Sequence, residues 1–192
     1  MASNDLVKYW DSRIPKQSIR ILFVGTFAPP SSNERNFYYS AKGCKRFWDM
    51  FHESLLDRNG KKIDFPYLVK EREFEKVFSI LLENGISVTD LFSDADSKNG
   101  NYSNNDLINE KINQGLVNIL KENSIVYIFL NGETYKRDSF KNYFIKALAP
   151  FCNLSNITIV ELPNSAKVNA WFEKRDGTKK WRDAISKHKE FK

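Results

Sequence analysis

One carboxylate stands inside an otherwise apolar stretch of the sequence. Asp90 lies within the run from Ile86 to Phe92, where burial of a charge is costly unless the carboxylate is hydrogen-bonded or used. Two interpretations are open: Asp90 caps the turn that follows, or it serves a functional site. Asp90 is therefore the first candidate for a functional residue.

Histidine and cysteine are too scarce for several common kinds of active site. The chain contains His52 and His188, which nearly excludes a Ser-His-Asp triad or a His-rich metal site. Cys44 and Cys152 have no paired spacing, so neither a disulfide framework nor a zinc site is predicted. We expect no metal and no cofactor. An enzyme of this sequence would rely on carboxylates, amides, hydroxyls or lysines.

Further candidates follow three other apolar runs, at residues 19–24, 125–130 and 157–162. Glycine permits close approach of the backbone, small polar side chains with a lysine can grip phosphate, and aromatic faces can stack on a base. Each group also has a structural alternative, either a helix cap or a loop that covers the core. The candidates are Gly25, Thr26, Phe27, Phe37, Tyr39, Asn131, Asn164, Ser165, Lys167 and Asn169.

The apolar runs that precede these residues predict strands. They are rich in β-branched and aromatic side chains, and two of them are nearly continuous. This pattern is typical of strands that are covered on both faces of a parallel sheet. The predicted strands are residues 19–24, 86–92, 125–130 and 157–162.

Amphipathic spacing between the strands predicts helices, and the polar stretch Ser93–Asn105 is expected to be a long loop. Strands that alternate with helices predict an α/β fold, a three-layer α/β/α sandwich around a central four-stranded, mainly parallel sheet. Ligands bind beyond the carboxyl ends of the strands in such a sheet, which is where all of the candidates fall. The predicted helices are residues 46–56, 71–82, 105–121, 135–148 and 171–187.

Length and composition favour one domain over residues 1–192, with its core at about 19–188. The N-terminus has no apolar signal core and no run approaches membrane-spanning length, so we expect a cytoplasmic protein. We also expect a monomer. The net charge is +6, and residues 164–192 carry nine basic and four acidic side chains, an excess of five. That end suits a polyanion, although charge alone favours a solvated helix with a Lys-rich tail.

Several motifs taken together resemble a known family. Gly25-Thr26-Phe27, Phe37-Tyr38-Tyr39 and Phe47-Trp48 are similar to the first motif region of the uracil-DNA glycosylase superfamily. The nearest branches are the hypoxanthine-DNA glycosylases and the mismatch-specific uracil/thymine glycosylases. Three later stretches are similar as well, namely 88–90 with 99–101, 129–132, and 162–170 with Trp181.

The sequence also departs from that family pattern. Ala28 stands where the family has a proline, and no asparagine occurs between Tyr39 and Phe47. The catalytic asparagine of the nearest branch would lie in that interval, where this chain has Cys44 or Lys45.

The resemblance implies a glycosylase that excises a deaminated base, uracil or hypoxanthine, from DNA. Asp90 would read the base or act as the catalytic acceptor, and Asn131 would make a minor direct contribution. The alternatives are a nucleic-acid-binding protein of the same fold without activity, an enzyme that processes nucleosides or nucleotides, and a scaffold without a ligand. Gly25, Thr26, Phe27, Phe37, Tyr39 and Asn131 would form the base-binding group, and Lys45, Asn164, Ser165, Lys167 and Asn169 would bind DNA phosphates.

Overall fold

Four parallel strands form the centre of the protein, which a computed structural model describes over residues 19–27, 45–55, 61–63, 71–100, 103–165 and 174–187. In chain order the strands are β1 (Ile21–Gly25), β2 (Ile86–Asp90), β3 (Phe92–Ser97), β4 (Leu107–Ile112), β5 (Tyr127–Asn131), β6 (Thr134–Tyr135), β7 (Asp138–Ser139) and β8 (Thr158–Leu162). The central sheet has the order β2-β1-β5-β8, and every neighbouring pair is parallel. The four predicted strands are therefore confirmed, with ends that shift by one or two residues.

Helices cover both faces of this sheet. Face one carries Phe23, Phe129 and Trp181 within one apolar cluster, and face two carries Leu22 and Phe144 within another. The rings of Phe23 and Phe129 stack with their centroids 5.0 Å apart. The helices are α1 (Lys45–Ser54), α2 (Glu71–Glu83) and α5 (Lys174–Ser186) on face one, and α3 (Gln114–Glu122) and α4 (Phe140–Leu148) on face two.

This arrangement is the predicted three-layer α/β/α sandwich. Among the helices in the described ranges, none combines the length and the apolar character that a membrane crossing requires.

The sequence predicts a long loop at 93–105 and a helix that begins at 105. The loop and the start of the helix are both wrong, because β3 and β4 occupy these positions. Residues of this region form an antiparallel hairpin, in which β3 pairs with β4. Lys111 Nζ lies 2.8 Å from Asp94 Oδ2, and Asn109 Nδ2 donates to Asp96 Oδ2 over 2.9 Å. The first contact joins positions 17 residues apart and the second joins positions 13 residues apart, so local periodicity could not reveal them.

The two helices on face two begin later than predicted because capping residues set their starts. Asn113 caps α3, where its side chain accepts from the amide of Gly115. Ser139 caps α4 in the same way, by accepting from the amide of Asn142. A side chain that accepts such an amide stabilises the first helical turn.

Asn113 also joins α3 to the end of β2. Its side chain is buried, with 1% of the residue exposed. Nδ2 donates to Thr89 Oγ1 and to the carbonyl of Asp90, both over 3.1 Å, while Oδ1 accepts from Gly115. One amide thus satisfies three polar groups and holds the last residues of β2 in place.

Replacing Asn113 with alanine should lower the free energy of unfolding by about 1–3 kcal/mol, because a helix cap is lost and buried polar groups lose their donor. Denaturant unfolding followed by circular dichroism measures this. Asn118→Ala is the matched control, since Asn118 is exposed on the same helix and its loss should change stability by less than about 0.5 kcal/mol. Equal effects of the two substitutions would contradict the role given to Asn113.

Candidate functional site

The strand order indicates a ligand site at the carboxyl edge, the edge where the carboxyl ends of the four parallel strands meet. From β1 the chain passes to β2 on one side, and from β2 it later returns to β5 on the other side of β1. In open α/β sheets the ligand site lies where the connections diverge in this way. The expected ligand site, the crevice, is therefore between the ends of β1 and β5.

Three residues form a row across the last rung of the sheet at this edge. Gly25 is paired with Asp90, and Asn131 directly follows Leu130, which is paired with Val24. Because side chains alternate along a strand, Asp90 and Asn131 share face one with Phe23 and Phe129. Neighbouring strands are about 4.8 Å apart, so the Cα atoms of Asp90 and Asn131, two strands apart, are separated by about 10 Å.

Gly25 occupies the middle of this row and contributes no side chain. It does not have a positive φ, so its backbone conformation is one that other residues also adopt. The consequence of glycine here is therefore spatial. Gly25 is itself buried within β1, and because it has no side chain it places no Cβ between the carboxylate and the amide.

Asp90 is a buried carboxylate with a fixed backbone. The residue is 4% exposed and forms the last position of β2, within the parallel ladder. Its carbonyl accepts from Asn113, and the amide of the next residue, Leu91, donates to the carbonyl of Gly25 over 2.9 Å. The main chain on both sides of the carboxylate is thereby tied to α3 and to β1.

Asn131 joins the end of β5 to the segment that follows β8. Its Oδ1 accepts from the amide of Ser165 over 3.1 Å, which identifies that atom as oxygen and leaves Nδ2 as the atom able to donate to a ligand. Asn131 is 9% exposed and Ser165 is buried. The next residue, Gly132, has φ +140° and its amide donates to the carbonyl of Leu162 over 3.0 Å, a conformation that favours glycine.

The segment after β8 is held from face one. Trp181 of α5 is fully buried, and its indole nitrogen donates to the carbonyl of Pro163 over 2.8 Å. This contact lies immediately before Asn164 and Ser165, two of the predicted phosphate-binding residues. Asn164 is half-buried at this edge. Trp181 therefore positions the start of the segment that the sequence assigns to DNA.

Thr26 and Phe27 lie beside the row but have structural contacts of their own. Thr26 Oγ1 donates to Asn104 Oδ1 over 2.7 Å, and Asn104 Nδ2 donates to the carbonyl of Thr134 over 3.3 Å. Asn104 thus bridges the ends of β1 and β6 across the crevice. Phe27 is half-buried and packs against the apolar cluster of face two, whereas Asp90 lies on face one.

A cluster of polar side chains supports the hairpin that follows β5. Tyr135 is fully buried, and its hydroxyl donates to Glu110 Oε1 over 2.6 Å. Lys136 forms an ion pair with the same carboxylate oxygen. Burial opposes the charge of Glu110, but the hydrogen bonds from Lys136 and Tyr135 outweigh it and lower the pKa of that carboxyl. Burial, followed by the bond to Glu110, raises the pKa of Tyr135.

The predicted site residues divide into three sets. Gly25, Asp90, Asn131 and Ser165 come together at the carboxyl edge, with Asn164 beside Ser165 and with Thr26 and Phe27 toward face two. Lys45 is the first residue of α1, and its side chain lies outside the described part of the structure. The predicted residues outside the described ranges are Phe37, Tyr39, Lys167 and Asn169.

Two residues that organise this edge were missed from the sequence. Asn113 had a usable signal, because an asparagine directly before an amphipathic run is typical of a helix start. Asn104 had none, since its partners lie 78 and 30 positions away in the chain.

Comparison with known proteins adds no relative to this description. No protein family model matches the chain, and no curated protein sequence matches it significantly.

Glu110→Gln should lower the free energy of unfolding by about 1–3 kcal/mol at pH 7, because it removes the charge that Lys136 and Tyr135 satisfy. The lowered pKa gives the sign of the pH effect. The contribution of an ionised Glu110 is fully present above its ordinary pKa of 4.5 and is lost as the pH falls through the lower value of the folded state. Unfolding in urea between pH 7 and pH 3 should show the two proteins converging in acid.

Glu122→Gln is the control for this titration, because Glu122 is exposed at the end of α3. If the free energies of unfolding of wild type and Glu110→Gln differed by the same amount at every pH, the stabilising role of the ionised Glu110 carboxylate would be contradicted.

Proposed function

We propose that this protein is a DNA glycosylase that removes a deaminated base, uracil or hypoxanthine. The observation that supports it best is the row at the carboxyl edge, in which Gly25, a residue without a side chain, separates the carboxylate of Asp90 from the amide of Asn131. The motif resemblance and the excess of five positive charges in residues 164–192 supply the nucleic-acid context. The cytoplasmic location and monomeric state expected from the sequence belong to the same proposal.

The amide of Asn131 is complementary to the edge of a deaminated base. Uracil and hypoxanthine both carry a ring N–H next to a carbonyl, whereas cytosine and adenine carry an unprotonated ring nitrogen next to an amino group. An amide nitrogen donates to a carbonyl and cannot donate to an amino group in the same way. Because Oδ1 of Asn131 already accepts from Ser165, Nδ2 is the atom that meets the ligand. This arrangement favours a carbonyl over an amino group.

The proposed reaction begins when the target nucleotide rotates out of the duplex into the crevice. The bond between C1′ and the base nitrogen then breaks, and its electron pair leaves with the base. Nδ2 of Asn131, a residue to which the family resemblance alone gives a minor direct part, here donates to the base carbonyl and stabilises the negative charge that develops there. The sugar passes through an oxocarbenium-like state, water adds to C1′, and Asp90 accepts the proton of that water.

The remaining predicted residues have supporting roles in this proposal. Phe27 with Phe37 or Tyr39 would stack on the base, and Gly25 and Thr26 would lie beneath it. Asn164, Ser165, Lys167 and Asn169 would contact phosphates next to the flipped nucleotide, and Lys45 would add another phosphate contact. Because Trp181 donates to the carbonyl of Pro163, the segment that begins at Asn164 is held in place before DNA binds.

Two substitutions at the row test the proposal, with base release from duplexes that contain uracil or hypoxanthine as the measurement. Asp90→Asn should reduce the rate of release at least about 100-fold, because proton acceptance by a positioned group contributes on that order. Asn131→Asp keeps an oxygen for the amide of Ser165 and removes the donor. It should reduce the rate by about 100-fold or more, as expected for loss of one donor to a developing charge.

Asp183→Asn serves as the control, because it makes the same chemical change at an exposed position on α5. Unchanged base release in Asp90→Asn would overturn the catalytic assignment. A wild-type protein that binds these duplexes but releases no base would support the second candidate function, nucleic-acid binding without catalysis. The absence of asparagine between Tyr39 and Phe47 favours that candidate.

A further inference from the structure

The hairpin of β6 and β7 has an unusual turn. Thr134 pairs with Ser139 and Tyr135 with Asp138, so Lys136 and Arg137 are the two central residues of the loop. Both have left-handed backbones, with φ of 49° and 67°. Tight hairpins favour glycine, asparagine or aspartate at such positions, and a left-handed conformation costs other residues about 1–2 kcal/mol each.

Glu110 of β4 holds the hairpin through its side chain. Glu110 pairs with Lys136 and accepts from the buried hydroxyl of Tyr135. The ammonium of Lys136 also lies 5.3 Å from the centre of the Tyr135 ring, a distance at which a cation is attracted to an aromatic face. Tyr143 packs against Tyr135, with ring centroids 4.4 Å apart. The residues that flank and form the turn are therefore fixed by contacts with Glu110 and Tyr143.

The two cations of the turn have different surroundings. The charge of Lys136 is compensated by Glu110. Arg137 is exposed, and within the described residues it has neither an ion pair nor a hydrogen bond. Of the two neighbouring acids, Asp138 accepts from the amide of Ser139 over 2.8 Å, and Glu133 is exposed and unbonded to Arg137. The turn thus displays one uncompensated guanidinium.

The base of the hairpin is linked to the candidate site. The hairpin begins three residues after Asn131, and its first residue, Thr134, is linked through Asn104 to Thr26 at the end of β1. At about 3.4 Å per residue, the two residues of β6 carry Arg137 roughly 7 Å beyond the base of the hairpin. The hairpin that carries Arg137 is therefore anchored beside the ends of β1 and β5.

We infer that Arg137 contacts a backbone phosphate of nucleic acid bound across the carboxyl edge. The guanidinium is suited to phosphate because its planar donors match the phosphate oxygens. A turn already fixed by Glu110 and Tyr135 presents that group with little further loss of backbone entropy on binding. The inference rests on the nucleic-acid partner of the proposed function, and it does not require base excision.

Arg137→Gln tests this contact through the salt dependence of binding to a fluorescent duplex, measured by anisotropy. Each phosphate contact contributes about one unit to the slope of log affinity against log salt. Arg137→Gln should therefore lower that slope by about one and weaken binding several-fold at low salt.

Two further variants make the result specific. Lys146→Gln removes an exposed charge from the last turn of α4. Lys146 lies about 9 Å along the helix from Phe140, the first residue of α4. This substitution should leave binding unchanged. Arg137→Gly removes the cation while it relieves the left-handed backbone. It should bind as weakly as Arg137→Gln while the protein unfolds at the same or a higher denaturant concentration.

Equal effects of Arg137→Gln and Lys146→Gln would overturn the inference, as would a wild-type protein that binds no duplex. Base release from the same duplexes is measured separately. If the wild-type protein binds and the slope falls only in the Arg137 variants, but no base is released, then the excision proposal fails and the phosphate contact stands.

Discussion

Parallel pairing of β1 with both β2 and β5 is the constraint on which the candidate site depends. This pairing fixes the register that brings Asp90, Gly25 and Asn131 to the same rung and the same face. A slip of one residue in either neighbouring strand would turn its polar end to the opposite face. The apolar side chains of the same strands prevent such a slip, because Phe23 and Phe129 must remain packed against the helices of face one.

Side-chain amides extend this order from the strands into the connecting segments. Asn113 joins α3 to β2, Asn104 joins the ends of β1 and β6, and Asn131 joins β5 to the segment after β8. An amide has both a donor and an acceptor, so one side chain can satisfy backbone groups of two segments. The carboxyl edge, where backbone groups leave the ladder, is where such groups most need partners.

The two faces divide the proposed work at this edge. Face one carries the carboxylate and amide of the row, together with Trp181, which holds the segment after β8. Face two carries the β3–β4 hairpin and the Glu110 cluster, which support the turn that displays Arg137. Recognition of a base and the phosphate contact of Arg137 would thus rest on separate supports on opposite sides of one sheet. Substitutions at Asp90 and at Arg137 can therefore be interpreted independently.

The sequence by itself determined the three-layer fold, the four strands and the edge at which polar residues gather, because apolar runs and helical periodicity are local properties of the chain. It also singled out Asp90, since a carboxylate within an apolar run is conspicuous. Only the tertiary structure decided that Gly25 separates Asp90 from Asn131, that Asn104 bridges the crevice, and that a hairpin replaces the expected loop and the start of the next helix. Strand order, register and hydrogen bonds between distant residues have no local signature, because they arise when segments far apart in the chain pack together.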